Sequence, residues 1–164
     1  DRYLKKAHLQ AVGNSIKSKI AFMQFLKKMI NIFNKIYPNI NFDFPENFQE
    51  FFVFGSLEDM EEVVGNVLEN GCKYGKKRIK ISIIKLSDVE IKLEISDDGE
   101  GLPAKQMNEV FGRGFRLDEQ KPGTGLGLNI VKDIIELYKG KVWLEKSKKL
   151  GGLQVNIRLP ISIV

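Results

Sequence analysis

Cysteine is almost missing from this sequence. Cys72 is the single one, so no disulfide can close within the chain, and a reducing compartment is expected. Histidine and tryptophan are equally scarce, with His8 and Trp143 alone. No apolar run approaches the ~18–20 residues that span a bilayer. There is no signal-peptide pattern and no initiator Met, and "DRYLKKAHLQAV" starts in the middle of a helical pattern, so a piece of something longer is expected. The G-x-x-x-x-G-K-[ST] phosphate loop occurs nowhere, and no strand precedes the one run of alternate glycines, which excludes P-loop and Rossmann nucleotide binding. Nor is there an aromatic-and-basic stripe of the kind that reads single-stranded nucleic acid.

What is present is an ordinary globular composition. The chain has 164 residues, 43% hydrophobic and 29% charged, enough for one domain with a real core. Its net charge is +5, but the lysines are scattered through "KKAH", "LKKM", "GKKRIK" and "SKKL", with acidic "LEDMEE" and "SDDGE" between them. Most lysines therefore read as solvated surface, a minority being left to serve a polyanionic ligand; nucleic acid is not an expected partner.

Residues 1 to 12 form a short amphipathic stretch (Leu4, Ala7, Val12), interrupted by "GNSIKSK". Ile20, Met23, Leu26, Ile30, Phe33 and Tyr37 recur at helical spacing until Pro38 and Asn39 stop the helix. Strands are predicted at 40–44 and 51–55. A helix follows at 57–74, with acids in its first turns, where the helix dipole favours them. Residues 78–86 and 89–96 alternate with period two and read as a hairpin about Ser87 and Asp88. After the turn "DDGEGLP" come a short helix at 103–111, a polar Gly-rich stretch at 112–123 and an apolar helix at 125–140 ended by Gly140. The last strands, 141–145 and 153–161, join through Gly151 and Gly152. Strands and helices mix without strict alternation, which predicts an α+β two-layer sandwich. Trp143, Cys72 and the phenylalanines are assigned to the core.

Four segments carry candidate chemistry, and each has a plainer explanation. On the helix at 57–74, Asn66, Asn70 and either Lys73 or Tyr74 share a stripe. Carboxamide oxygens are hard ligands, acceptable to Mg²⁺ when phosphates complete the sphere; a polar helix face gives the same pattern. Asp97 ends an apolar strand, and Gly99 and Gly101 follow. A carboxylate there can accept from an exocyclic amine such as that of adenine, with glycines admitting a flat base; an Asp-Gly turn has the same sequence. Gly123, Gly125 and Gly127 precede a helix, whose N-terminal N–H groups attract anions; a flexible turn is the simpler account. The loop before them carries Arg113, Arg116 and Lys121, either a phosphate-facing set or an exposed basic loop.

The order of these segments is more specific than any of them. "GNVLENGCKYG" (65–75), "DDGEG" (97–101), "VFGRGF" (110–115), "GTGLGL" (123–128) and "GGLQVNIRLP" (151–160) resemble, in turn, the N, G1, F and G2 boxes and the final Gly-rich hairpin of the catalytic, ATP-binding domain of bacterial sensor histidine kinases, in the GHKL superfamily. The resemblance covers roughly residues 40 to 160, and within the family the first and third segments look most like PhoQ-type kinases. It implies a GHKL, or Bergerat-type, fold: a mixed sheet of about five strands packed under three helices. It also implies that residues 1–18 are a remnant of an upstream dimerisation helix or linker and that 19–164 form the catalytic domain.

By position, the resemblance implies that Asn70, with Asn66, holds Mg²⁺ against the phosphates of ATP. Lys73 contacts phosphate and Tyr74 lines the site. Asp97 accepts from the adenine amine, with Gly99 and Gly101 giving backbone access. Residues 111 to 123 become a lid that includes Phe111 and Gly114, with Arg113 and Lys121 reaching the β- and γ-phosphates. Gly123, Thr124, Gly125, Leu126, Gly127 and Leu128 form the phosphate-binding turn. Asn70, Lys73, Arg113 and Lys121 are the implied catalytic set. The hydrolytic relatives carry a water-activating Glu four residues before the metal-binding Asn; here that position is Asn66, so transfer to another acceptor is expected over hydrolysis. Glu62, four before Asn66, would restore the hydrolytic pattern in a shifted frame, but "NGCKYG" aligns better with Asn70 as the ligand. His8 lacks the acceptor motif, so the phosphoacceptor is expected upstream. The implied partners are that dimerisation and phosphoacceptor domain and a response regulator, and the implied location is the cytoplasmic side of an inner-membrane sensor, with the membrane reached only through other parts of the protein. A GHKL ATPase and a non-catalytic module remain the alternatives.

Overall fold

Alternation of isoleucine and leucine with polar residues builds the centre of the molecule. In β4 (Arg78–Ser87) and β5 (Glu90–Asp97), Ile79, Ile81 and Ile83 pair with Asp97, Ile95 and Leu93 across an antiparallel ladder. The computed structural model describes residues 18–112 and 127–164. The expectations for residues 1–17 with His8, and for Arg113, Gly114, Arg116, Lys121, Gly123, Thr124, Gly125 and Leu126, lie outside the described residues.

The described residues form one five-stranded sheet in the order β2-β4-β5-β7-β6, with β2 at Asn41–Asp43, β6 at Lys141–Lys146 and β7 at Leu153–Pro160. β2 runs parallel to β4 and the other pairs are antiparallel, so the sheet is mixed. The inner face carries Ile79, Ile81, Ile91, Leu93, Ile95, Val155, Ile157 and Leu159, all buried. The other face is polar, with Lys92 and Glu94 paired at 2.9 Å.

Among the described residues, three long helices supply the other half of the core. α1 (Phe22–Ile36) buries Phe22, Phe25, Leu26, Met29 and Phe33 at helical spacing. Its N-cap, Ala21, has no side chain to offer, and Glu50 takes over: its carboxylate accepts from Met23 N at 2.7 Å and Gln24 N at 3.1 Å. α2 (Leu57–Tyr74) starts at Ser56, whose hydroxyl accepts from Asp59 N at 3.4 Å, and buries Met60, Val63, Val64, Val67 and Leu68. α4 (Leu128–Leu137) buries Leu128, Val131, Ile134 and Ile135. A short helix, α3 (Ala104–Glu109), buries none of its residues.

Three expectations need correction. The pattern from Ile20 is not helical at its start: Lys19–Ala21 form β1, antiparallel to β3 (Phe52–Phe54) in a separate two-stranded sheet. Ile20 is buried in the strand, as a helical core position would also require, so spacing alone misassigns it. Gly140 does not provide the left-handed turn after α4; Lys139 does, at φ 60. Gly140 is needed for space, since a Cβ there would overlap Arg158 O. Trp143 is only half-buried, on the polar face of the sheet, where its indole N–H donates to Glu145 at 3.1 Å and Lys141 lies over its ring. Cys72 is buried as expected, and burial pushes its thiol up to about 12, so it stays protonated.

Candidate functional site

The last turns of α2, the end of β5 and the start of β7 converge on a cavity of about 560 Å³. Asn70, Lys73 and Tyr74 line it from α2, Asp97, Gly99 and Gly101 from the end of β5 and its turn, and Leu153 from β7. Those six residues from α2 and the β5 turn are six of the residues the sequence singled out. The fold unites them because β5 runs antiparallel to β7 and ends beside the C-terminus of α2.

Asp97 is 7% exposed and sits at the floor. Its Oδ1 accepts from Gly99 N at 2.9 Å and from Leu153 N at 3.3 Å, and Oδ2 takes no bond from the described residues. Burial raises its carboxyl above the ordinary carboxylate range; the N–H groups of Gly99 and Leu153 oppose the shift, and Asp98 adds to it. Asp98, the next residue, goes the other way. Burial pulls it up, but the backbone N–H groups of Lys76, Arg78 and Lys77 outweigh that and hold it low. It accepts from Lys76 N at 2.8 Å and Lys77 N at 3.1 Å, fixing the loop that leaves α2. One carboxylate is tied up as a structural clasp, and its neighbour keeps an oxygen for a ligand.

The floor is made of bare backbone. A Cβ on Gly152 would overlap Asp97 Oδ1 and lie 2.7 Å from Gly99 N, so only glycine lets the β6–β7 turn close over the aspartate. Gly99 packs as tightly on Tyr74 O. Sequence reasoning gave Gly152 a turn role only; the signal available was its place in a Gly-Gly pair. It also missed Lys76, Glu100, Leu102, Pro103 and Gln106, which complete the wall.

Asn66 lies one turn back on α2, away from the cavity lining. Its amide N–H donates to Glu62 O at 2.7 Å, and its Oδ1 lies against Gly127, where a Cβ would overlap it. Gly127 caps α4 at φ 64, the left-handed region that favours glycine. The first and fourth boxes of the pattern thus meet at Asn66 and Gly127. Leu128 follows, with its side chain 1% exposed in the core. Phe111 packs against the core with Lys132 over its ring. Lys73 reaches Glu69 across one helical turn at 3.4 Å.

Carboxamides at 66 and 70 are the hard-oxygen donors here, and no cluster of three His, Cys, Asp or Glu occurs among the described residues. A carboxamide oxygen is acceptable to a divalent cation whose sphere phosphates complete, and of the two it is Asn70 that lines the cavity.

Residues 55–163 match the family model described as histidine kinase-, DNA gyrase B- and HSP90-like ATPase. The chain is 32% identical over 160 residues to the virulence sensor histidine kinase PhoQ of Salmonella typhimurium, covering 94% of this chain and 32% of that protein. It is 41% identical over 104 residues to the sensor protein kinase CarS of Pseudomonas aeruginosa, covering 63% of this chain and 23% of that one. The chain thus spans a third or less of the length of these curated relatives. Among solved structures, the mycobacterial sensor histidine kinase MprB superposes with a TM-score of 0.79 at 24% identity, over 90% of this chain and 99% of that chain. The catalytic domain of the histidine kinase ThkA does so with a TM-score of 0.78 at 21% identity, over 89% and 96%.

Proposed function

Since the chain belongs to the histidine kinase-, DNA gyrase B- and HSP90-like ATPase family, we propose that it is the catalytic domain of a sensor histidine kinase, which moves the γ-phosphoryl group of ATP to a histidine on an upstream dimerisation domain. The observation that carries the reading is the buried carboxylate of Asp97, on a glycine-walled floor facing Asn70 and Lys73.

Asp97 Oδ2 accepts from the exocyclic amine of adenine, while Oδ1 stays bound to Gly99 N and Leu153 N. Tyr74 and Leu102 bound the base, and Lys73 answers phosphate charge at the rim. Asn70, with Asn66, would hold Mg²⁺, which when bound supplies charge neutralisation for the phosphates. Arg113 and Lys121 complete the phosphate contacts in this proposal, and Gly123 to Gly127 supply backbone N–H groups. In phosphoryl transfer the protein mainly positions groups and offsets charge, and this residue set does both.

Transfer is favoured over hydrolysis by the residue at position 66. An Asn cannot activate water as a carboxylate does. Glu62, the carboxylate one turn earlier, is exposed and does not line the cavity. A response regulator then receives the phosphoryl group, and the domain works on the cytoplasmic side of a membrane sensor.

The test supplies the chain with the upstream dimerisation segment of its full-length protein and Mg-ATP. Acid-labile, base-stable phosphate on that segment is expected. Steady release of inorganic phosphate without any such adduct would favour a hydrolytic clamp instead.

A further inference from the structure

Glu69 precedes Asn70 and belongs to none of the roles above. Its Oε1 accepts from the Tyr37 hydroxyl at 2.8 Å and also faces Lys73 Nζ at 3.4 Å. Tyr37 caps α1, so the contact ties the end of one helix to the last turns of another. Burial, reinforced by the Glu69 carboxylate, pushes the Tyr37 hydroxyl up to about 12, so it stays a donor to Glu69. Tyr37 is also stacked on Phe33, which fixes its ring. Glu69 is thus held in place from α1, while its partner Lys73 sits at the cavity.

We propose that Glu69 is a positioning residue that competes with ligand phosphate for Lys73 and thereby sets the affinity for phosphorylated adenine nucleotides. This rests on the cavity being a nucleotide site. The ion pair is half exposed on both sides, at 42% and 37%, and pairs of this kind are weakly held. A phosphate group displaces it readily. Once Lys73 has turned to phosphate, Glu69 keeps its bond to Tyr37 but remains a negative charge a few ångströms from a polyanion. That repulsion reaches every ligand with phosphates and none without them. It keeps nucleotide exchange fast, and it couples the site to the position of α1.

Glu69→Gln removes the charge and keeps an oxygen for the Tyr37 hydroxyl. Titration of the chain with Mg-ATP, Mg-ADP and adenosine separates the effects. ATP should bind about two- to fivefold more tightly to the variant at low salt, from loss of one repulsive charge in a high-dielectric setting. The gain should shrink at high salt, adenosine should bind as to the unsubstituted chain, and adding Lys73→Gln should reduce the gain to the part that direct repulsion supplies. Glu69→Ala provides the same comparison if the Gln variant is poorly folded. An unchanged or weaker ATP affinity, or an equal change for adenosine, overturns the proposal while leaving the nucleotide site standing. If the unsubstituted chain binds neither ATP nor ADP, both the site and the role of Glu69 fall.

Discussion

At the first turn of α2, Asp59 is 6% exposed and accepts from the Tyr138 hydroxyl at 2.7 Å, while that hydroxyl accepts from Ser56 N at 2.9 Å. At its last turns, Asn70, Lys73 and Tyr74 face a cavity of about 560 Å³. Both ends present polar side chains on a stripe. At the first end the polar groups are turned on one another, with Gly55 leaving room for the Tyr138 ring, and nothing is offered to a ligand. At the last end the backbone is clasped by Asp98, and Asn70, Lys73, Tyr74 and Asp97 line a cavity into which a ligand can fit. A polar cluster turned on itself holds a fold together; one that lines a cavity can also bind.

The largest effect should come from the open end. Asp97→Asn keeps an oxygen for Gly99 N and Leu153 N but loses the charge that meets the adenine amine. ATP affinity should fall about 10- to 100-fold, the range of a charge-assisted hydrogen bond. Thermal stability without nucleotide should hold or rise, because no ionised group is left to desolvate. Equal affinity for the two proteins would remove Asp97 from the site and collapse the contrast.

The closed end should give the reverse. Tyr138→Phe takes a donor from buried Asp59 and an acceptor from Ser56 N. It should cost about 1–3 kcal/mol of stability, the range for disturbing buried hydrogen-bonding groups. Nucleotide affinity, measured well below the new melting temperature, should be unchanged. A loss of affinity larger than the loss of stability explains would show that the two ends of α2 are coupled.

The contrast also marks what the sequence could convey. Local patterns are legible: α2 spans Leu57–Tyr74 as expected of a helix with acids in its first turns, and β4 and β5 follow their alternation to within a residue or two. The five-stranded mixed sheet and its long helices followed from the resemblance, as did the meeting of Asn70, Lys73, Tyr74 and Asp97. Contacts between distant residues were not legible. Tyr138 and Asp59 are 79 positions apart, and nothing near either announces the other. The helix dipole accounts for Asp59 in the first turn but not for its burial. Gly152 looked like a turn residue because its reason, the oxygen of Asp97, lies on another strand. β1 was lost because three residues gain strand character only through their partner, Phe52–Phe54.

The smallest effect is also the most diagnostic, because Asp97 should move stability and binding in opposite directions with pH. Its folded-state pKa is raised above the unfolded value, through burial first. Between those two values the folded chain binds more protons than the unfolded one, so stability from this group is present at low pH and lost as pH rises through the folded pKa. Binding has the other sign, since the adenine amine needs the ionised carboxylate. Asp98 is held low and contributes the ordinary acid-labile slope, which has to be subtracted. Asp97→Asn keeps Asp98 and every other group, so the difference between the two proteins isolates Asp97. As pH falls from neutral into the weakly acidic range, the chain without nucleotide should gain stability relative to Asp97→Asn. Over the same range its advantage in ATP affinity should shrink. Parallel denaturation and titration series would check both slopes. If the two moved together, the charge on Asp97 would serve the fold, and the end of α2 assigned to binding would have to be reassigned to structure.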